Sequence, residues 1–183
     1  MRVPRTFLFV DLTGFTSYNA EHGDDAAGRL LSAFRSITRQ VASDRGVRVA
    51  KWLGDGAMCV ALEQADAITM ALDMEHLAST ECAPLALRAG IASGKALLFE
   101  GDDYVGSAVN LAARLCDAAR TNAVLIPADQ LGEIPEGVRA EPFGSLRLPG
   151  FPDPVDVVDI SGTPIGGTAS DASEIWTRSP FVA

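Results

Sequence analysis

Two aspartates are set in the chain in the same way. Asp11 in FVDLTGFT and Asp55 in KWLGDGAM each close an apolar, strand-like segment and stand beside a glycine. An apolar run of that length belongs in a buried strand, and the glycine turns the chain at the strand's end. The fold must therefore be built on a sheet that delivers two carboxylates to its rim. Carboxylates from adjacent strands can hold two hard cations roughly 4 Å apart, a spacing at which one cation activates an attacking oxygen and both neutralise a transferring phosphate. A single Asp beside a Gly is an ordinary turn former, so the argument rests on the pair. A third segment, DYVGSAVNLAARL from Asp103 to Leu115, carries Asn110 and Arg114 four residues apart, on one helical face.

The rest of the pattern alternates strands and helices. Arg5 to Leu12 reads as a central strand buried on both faces, with Asp11 at its C-terminal end. From Asp24, the apolar residues Ala27, Leu30, Leu31, Phe34, Ile37 and Val41 recur with helical spacing, and Asp24 or Asp25 is placed to cap the start. Val47 to Leu53 alternates, meets Gly54-Asp55-Gly56 and resumes as Ala57 to Leu62, which predicts a hairpin with Asp55 at its exposed tip. Ala65 to Leu77 reads as a helix. Leu85 to Ser93 and Gly94 to Glu100 read as a second hairpin turning at Ser93-Gly94-Lys95, and Gly106 to Ala119 as another helix. Ala123 to Pro127 and Val138 to Leu148 read as strands, and Val155 to Ile160 as the strand that closes the sheet. This order predicts an α+β domain with a mixed, largely antiparallel sheet and helices packed on it, rather than a doubly wound fold.

A chain of 183 residues, 48% apolar, suits one domain with a substantial core. The domain is expected over residues 1–160. The Gly-, Ser-, Thr- and Pro-rich stretch 161–183 reads as a flexible tail, with Trp176 and Phe181 as residues that could dock. No apolar run approaches the ~20 residues of a membrane span and no signal peptide opens the chain, which points to a soluble cytoplasmic protein. Cys59, Cys82 and Cys116 form no CxxC spacing and read as buried, inert thiols. A net charge of −9 argues against a nucleic-acid surface. An acidic chain that handles an anionic nucleotide must recruit Mg²⁺ or Mn²⁺ to offset the repulsion.

In their order and separation, FVDLTGFT, KWLGDG and DYVGSAVNLAAR resemble the catalytic domain of class III nucleotidyl cyclases over roughly Thr6 to Ile160. These enzymes turn a nucleoside triphosphate into a 3′,5′-cyclic monophosphate and pyrophosphate, and the resemblance implies a ferredoxin-like or palm-type sheet. It implies that Asp11 and Asp55 are the ligands of two divalent metal ions. It places Gly14, Phe15 and Thr16 at a helix start whose free N–H groups favour the terminal phosphates. Lys51 and Asp103 match the positions that read the base in adenylyl members. An ammonium and a carboxylate together satisfy N1 and the N6 amino group of adenine, and such a site can reject the wrong base by roughly 10⁴-fold. Asn110 and Arg114 match the residues that orient the ribose and stabilise the transition state, where a guanidinium fork meets the charge growing on the α-phosphate.

One position departs from the family. In FGSLRLPGF the family often has a phosphate-binding lysine just before the second glycine, where this chain has Pro149. Arg147, two residues back and on the same side of a strand, is the candidate substitute. The resemblance also implies a head-to-tail homodimer in which one protomer supplies the metal ligands and its partner the base-reading and transition-state residues. This chain carries both sets, so two equivalent sites are expected, with no membrane insertion and no nucleic-acid partner. His22 and His76 match nothing catalytic. The expected activity is that of an adenylyl cyclase acting on ATP; the alternative is a catalytically silent nucleotide-binding or dimerisation module of the same fold. A diguanylate cyclase is disfavoured by the absence of a GGDEF signature.

Overall fold

The computed structural model describes residues 2–99 and 103–164. Strand β1 (Arg2–Thr13) leads to two helices, α1 (Phe15–His22) and α2 (Asp24–Asp44), and then to the hairpin β2 (Arg48–Leu53) and β3 (Gly56–Ala61). Helix α3 (Gln64–Glu81), strands β4 (Ala86–Phe99) and β5 (Asp103–Val105) and helix α4 (Ser107–Ala118) follow. The described residues end with β6 (Val124–Pro127), a 3₁₀ turn (Ala128–Gln130), β7 (Val138–Leu146) and β8 (Val155–Gly162). The sheet runs β2-β3-β1-β4-β6-β8-β7, with β5 paired to β4 off that path. Every pairing is antiparallel except β4 with β6, so the expected α+β, largely antiparallel architecture is what forms.

Alternation along β1 explains the two layers. Leu8, Val10 and Leu12 face a core shared with α2 and α3, whereas Phe7 faces a second core shared with α4 and Tyr104 of β5. Helix α2 commits Leu30, Phe34, Ile37 and Val41 to the first core at helical spacing. Phe34 is fully buried, and a side chain of that size contributes about 1.5–3 kcal/mol by leaving water. The helix is capped by Gly23, at φ +81°, rather than by an aspartate; Asp24 and Asp25 fall inside its first turn, where negative charge suits the helix dipole. All three cysteines are buried and free, and burial pushes the Cys59 thiol up to about 12.

Three local expectations are corrected. Ser93-Gly94-Lys95 is no turn: β4 runs straight through it, paired with β1 from Arg2↔Leu97 to Thr13↔Ala86. The glycine is there for space, because a Cβ on Gly94 would lie 2.9 Å from the Ala108 methyl of α4. Gly90, one strand-turn earlier, is tighter still: its added Cβ would stand 2.3 Å from both the Ala112 carbonyl and the Cys116 nitrogen, so α4 rests backbone to backbone on β4. Secondly, β8 does not close the sheet; it inserts between β6 and β7, and β7 is the outer edge. It also runs two residues past the expected end at Ile160. Thirdly, β7 stops at Leu146, short of the expected Leu148. Trp176 and Phe181, and all of 165–183, lie outside the described residues.

Candidate active site

Asp11 stands near the end of β1, on the side of the strand that carries Phe7 and Phe9, the α4 side. It is in register with Gly56, the first residue of β3, and the backbone ties the two strands again where Leu12 N–H donates to the Asp55 carbonyl at 3.3 Å. Asp55 occupies the two-residue loop between β2 and β3, reached through Gly54 at φ +71°. Gly56 makes the approach of the two carboxylates possible: a Cβ there would sit 2.7 Å from the Val10 carbonyl and 3.1 Å from Asp11 Oδ1. The hairpin tip thus lies against Asp11, as the sequence leads one to expect.

The partner of Asp11 was not among the expected residues. Arg88, on β4 directly across from Asp11, donates Nε and Nη2 to Asp11 Oδ2 at 2.9 and 2.7 Å. Its Nη1 donates to the Asp117 carbonyl at the last turn of α4, at 2.9 Å. One guanidinium therefore fixes Asp11 and anchors α4. With Oδ2 engaged, Oδ1 is the oxygen that faces Gly56 and the loop of Asp55. Burial raises the pKa of Asp11; the Arg88 hydrogen bond opposes this, and the charges of Asp55 and Asp117 reinforce it. The signal for Arg88 was in the sequence: a lone cation inside the apolar run LALRAGIASG requires a carboxylate partner if it is to be half-buried.

The donor set fits hard divalent cations. Among the described residues no cluster of three His, Cys, Asp or Glu side chains exists, so Asp11 and Asp55 offer two carboxylates. Cations of the Mg²⁺ type are held in that way, by one or two carboxylates, with waters and substrate phosphates completing the shell. Next to this pair, Gly14 at φ +83° opens α1, and its carbonyl accepts the Tyr18 N–H at 2.9 Å. The first-turn N–H groups of Phe15 and Thr16 have no intrahelical acceptor. The N-cap position, Gly14, supplies no side-chain cap, and the hydroxyl of the preceding Thr13 donates to the Ala86 carbonyl at 2.7 Å.

A second cluster forms on the same sheet face. The register of β2 shifts between Val49 and Lys51, so that Val49 opposes Cys59 and Lys51 opposes Met58. This β-bulge breaks the regular alternation expected for the strand. It puts Lys51 on the α4 side and returns Trp52 to the α2 side, against Phe34. Lys51 Nζ then meets Asp103 Oδ1 of β5 at 2.6 Å, with both side chains about half exposed. The pair bridges the sheet's edge to the β4–β5 ribbon, which Tyr104 secures by an edge-on contact with Phe7 at 5.4 Å.

Asn110 and Arg114 are both exposed on α4, as the spacing predicts. Arg114 Nη1 lies 3.4 Å from Asp117 Oδ2. Arg147 is not brought to the site within one chain. It lies past the end of β7, exposed, at the opposite edge of the sheet from the β2–β3 loop, so the expectation that it shares a strand face does not hold. His22 and His76 are exposed on α1 and α3.

A largely antiparallel sheet with one carboxylate at the end of its central strand, a second on the neighbouring hairpin loop and a lysine–aspartate pair on its face fits a domain of the nucleotidyl cyclase class. Residues 4–150 match the adenylate and guanylate cyclase catalytic domain, and the chain belongs to that family. A pH-sensitive adenylate cyclase of Mycobacterium tuberculosis is 34% identical over 179 residues, covering 91% of this chain and 44% of that protein. An uncharacterised protein of the same species is 33% identical over 156 residues, covering 85% of this chain and 41% of that protein. The chain thus spans less than half the length of these two relatives. The crystal structure of the adenylyl cyclase CyaB from P. aeruginosa superposes with a TM-score of 0.80 at 25% identity, covering 91% of this chain and 98% of that one. No described helix is long and apolar enough to cross a membrane.

Proposed function

We propose that the chain is the catalytic domain of an adenylyl cyclase, converting ATP to 3′,5′-cyclic AMP and pyrophosphate. The family acts on adenine or guanine nucleotides, and the observation that carries the choice of ATP is the 2.6 Å contact between Lys51 and Asp103. A donor and an acceptor side by side, half exposed, complement adenine N1 and N6; guanine presents the reverse polarity at those positions. Asp11 and Asp55 would hold two Mg²⁺ or Mn²⁺ ions, which when bound neutralise the triphosphate and favour loss of the 3′-hydroxyl proton. The first-turn N–H groups after Gly14 receive the terminal phosphates. The 3′-oxygen attacks the α-phosphorus in line, its proton passing to solvent beside Asp11, and the bond to the pyrophosphate oxygen breaks. Asn110 orients the ribose, and Arg114 meets the charge on the α-phosphate.

The active form in this reading is a head-to-tail homodimer. Exposed apolar side chains support it: Leu53 on the metal hairpin, and Leu97, Phe99 and Val105 on the β4–β5 ribbon that carries Asp103. In such a dimer each site takes its carboxylates from one protomer, and Lys51, Asp103, Asn110 and Arg114 from its partner. Arg147, remote from Asp11 in its own chain, could also serve its partner's site.

A second reading, a nucleotide-binding module without turnover, is favoured by Pro149, exposed where the family often has a phosphate-binding lysine. Incubation with ATP or GTP and Mn²⁺ or Mg²⁺, beside an Asp11→Ala control, separates the two. Cyclic AMP that disappears in the control establishes the cyclase, and nucleotide binding without cyclic product establishes the silent module.

A further inference from the structure

We propose that Arg35 of α2 is a positioning residue for the metal-carrying loop, acting on Asp55 through the peptide that precedes it. The inference rests on the reading of Asp55 as a metal ligand. Arg35 and Arg39 are four residues apart on one face of α2, where two cations repel each other. Both are drawn to one ring: their guanidinium carbons lie 5.2 and 5.1 Å from the centroid of Trp52. The bulge in β2 is what turns Trp52 to this side, and Phe34 meets the same ring edge-on at 6.4 Å.

The two arginines differ in what else they hold. Arg35 Nη2 reaches over the ring to the Gly54 carbonyl, at 3.5 Å, and its Nε is buried without a hydrogen-bond partner. The guanidinium is thus committed to this place by packing, with the loop carbonyl as its acceptor. That carbonyl belongs to the Gly54–Asp55 peptide. Gly54 is in a left-handed conformation, which leaves the peptide plane free to rotate unless something fixes it. Rotation would swing Asp55 away from Asp11. Arg35 opposes it from α2, while the Leu12 N–H bond to the Asp55 carbonyl opposes it from β1.

A group that orients a ligand in this way changes metal affinity by about 10-fold or more when lost. The test measures Mn²⁺ binding directly, by the electron paramagnetic resonance signal of free Mn²⁺, on the purified chain without nucleotide. Arg35→Met, which keeps the aliphatic stem but removes the donor, is expected to weaken Mn²⁺ binding about 10-fold. Arg39→Met removes the equivalent stacking charge with no bond to Gly54, and binding is expected to stay within about twofold of the parent. Arg35→Lys keeps the charge but is about one bond too short to reach the Gly54 carbonyl, and is expected to leave most of the loss in place. Equal effects of Arg35→Met and Arg39→Met, with Mn²⁺ binding lost in Asp55→Asn, would overturn the positioning role alone. Mn²⁺ binding unchanged in Asp55→Asn would overturn the metal reading and this inference with it.

Discussion

Arg88 gives two of its N–H groups to a single oxygen of Asp11, at 2.9 and 2.7 Å, and another to the Asp117 carbonyl of α4. The arrangement leaves Asp11 Oδ1 turned toward the Asp55 loop, and it couples the carboxylate on β1 to the helix that carries Asn110 and Arg114. Losing Arg88 strands a carboxylate whose side chain is about three-quarters buried. Arg88→Met is therefore expected to cost about 1–3 kcal/mol in urea denaturation and to lower kcat. Unchanged stability together with unchanged kcat would show the contact to be incidental.

The raised pKa of Asp11 has a definite sign in stability. Burial is its main cause, and the folded chain holds this proton more tightly than the unfolded chain does. Its contribution therefore turns unfavourable as pH rises from the ordinary carboxylate pKa through the folded value, and the deficit is complete above that folded value. Stability of Asp11→Asn measured from pH about 4 to about 7 is expected to decline less than that of the parent. Added Mn²⁺ should raise the unfolding midpoint of the parent and leave the variant unmoved. Parallel pH profiles for the two proteins would assign the effect to another group, with Glu75 and Asp159, also raised by burial, the next candidates.

Gly90 supplies a test that alters no charged or polar side chain. Its Cβ would collide with the backbone of α4 at Ala112 and Cys116, and backbone cannot rotate out of the way. Gly90→Ala is expected to destabilise by about 1–3 kcal/mol and to depress kcat by displacing Asn110 and Arg114 together. Wild-type kcat in a destabilised variant would detach α4 placement from turnover.

Lys51 and Asp103 are half exposed, and removing either should leave stability within about 0.5 kcal/mol. The expected effect is on choice: Lys51→Ala and Asp103→Ala should raise KM for ATP and narrow the ratio of kcat/KM for ATP over GTP. A preference that survives both substitutions would remove the pair from base recognition.

Much of the fold was legible because strands and helices announce themselves by burial. The placement of Asp11 and Asp55 at neighbouring chain turns was readable because each combined an apolar strand with a glycine, two independent signals at one place. The misread turn at Ser93-Gly94-Lys95 shows the weakness of a glycine taken alone, since the same residue serves a tight turn or a close approach, here of Ala108. The bulge after Val49 was hidden because alternation does not announce an extra residue, although it decides the side on which Lys51 emerges. Arg88 was missed for another reason: its partner is 77 residues away, and only the pairing of β1 with β4 brings the two together.

The short contact between Lys51 and Asp103 bears on how such a site would discriminate. Each group already satisfies the other, so an arriving base must break one good hydrogen-bonded contact to make two, and the net attraction is small. A mismatched base breaks the same contact and restores nothing. Selection at such a place works more by exclusion than by attraction: the pair would draw adenine in modestly, and would do much to make every alternative leave.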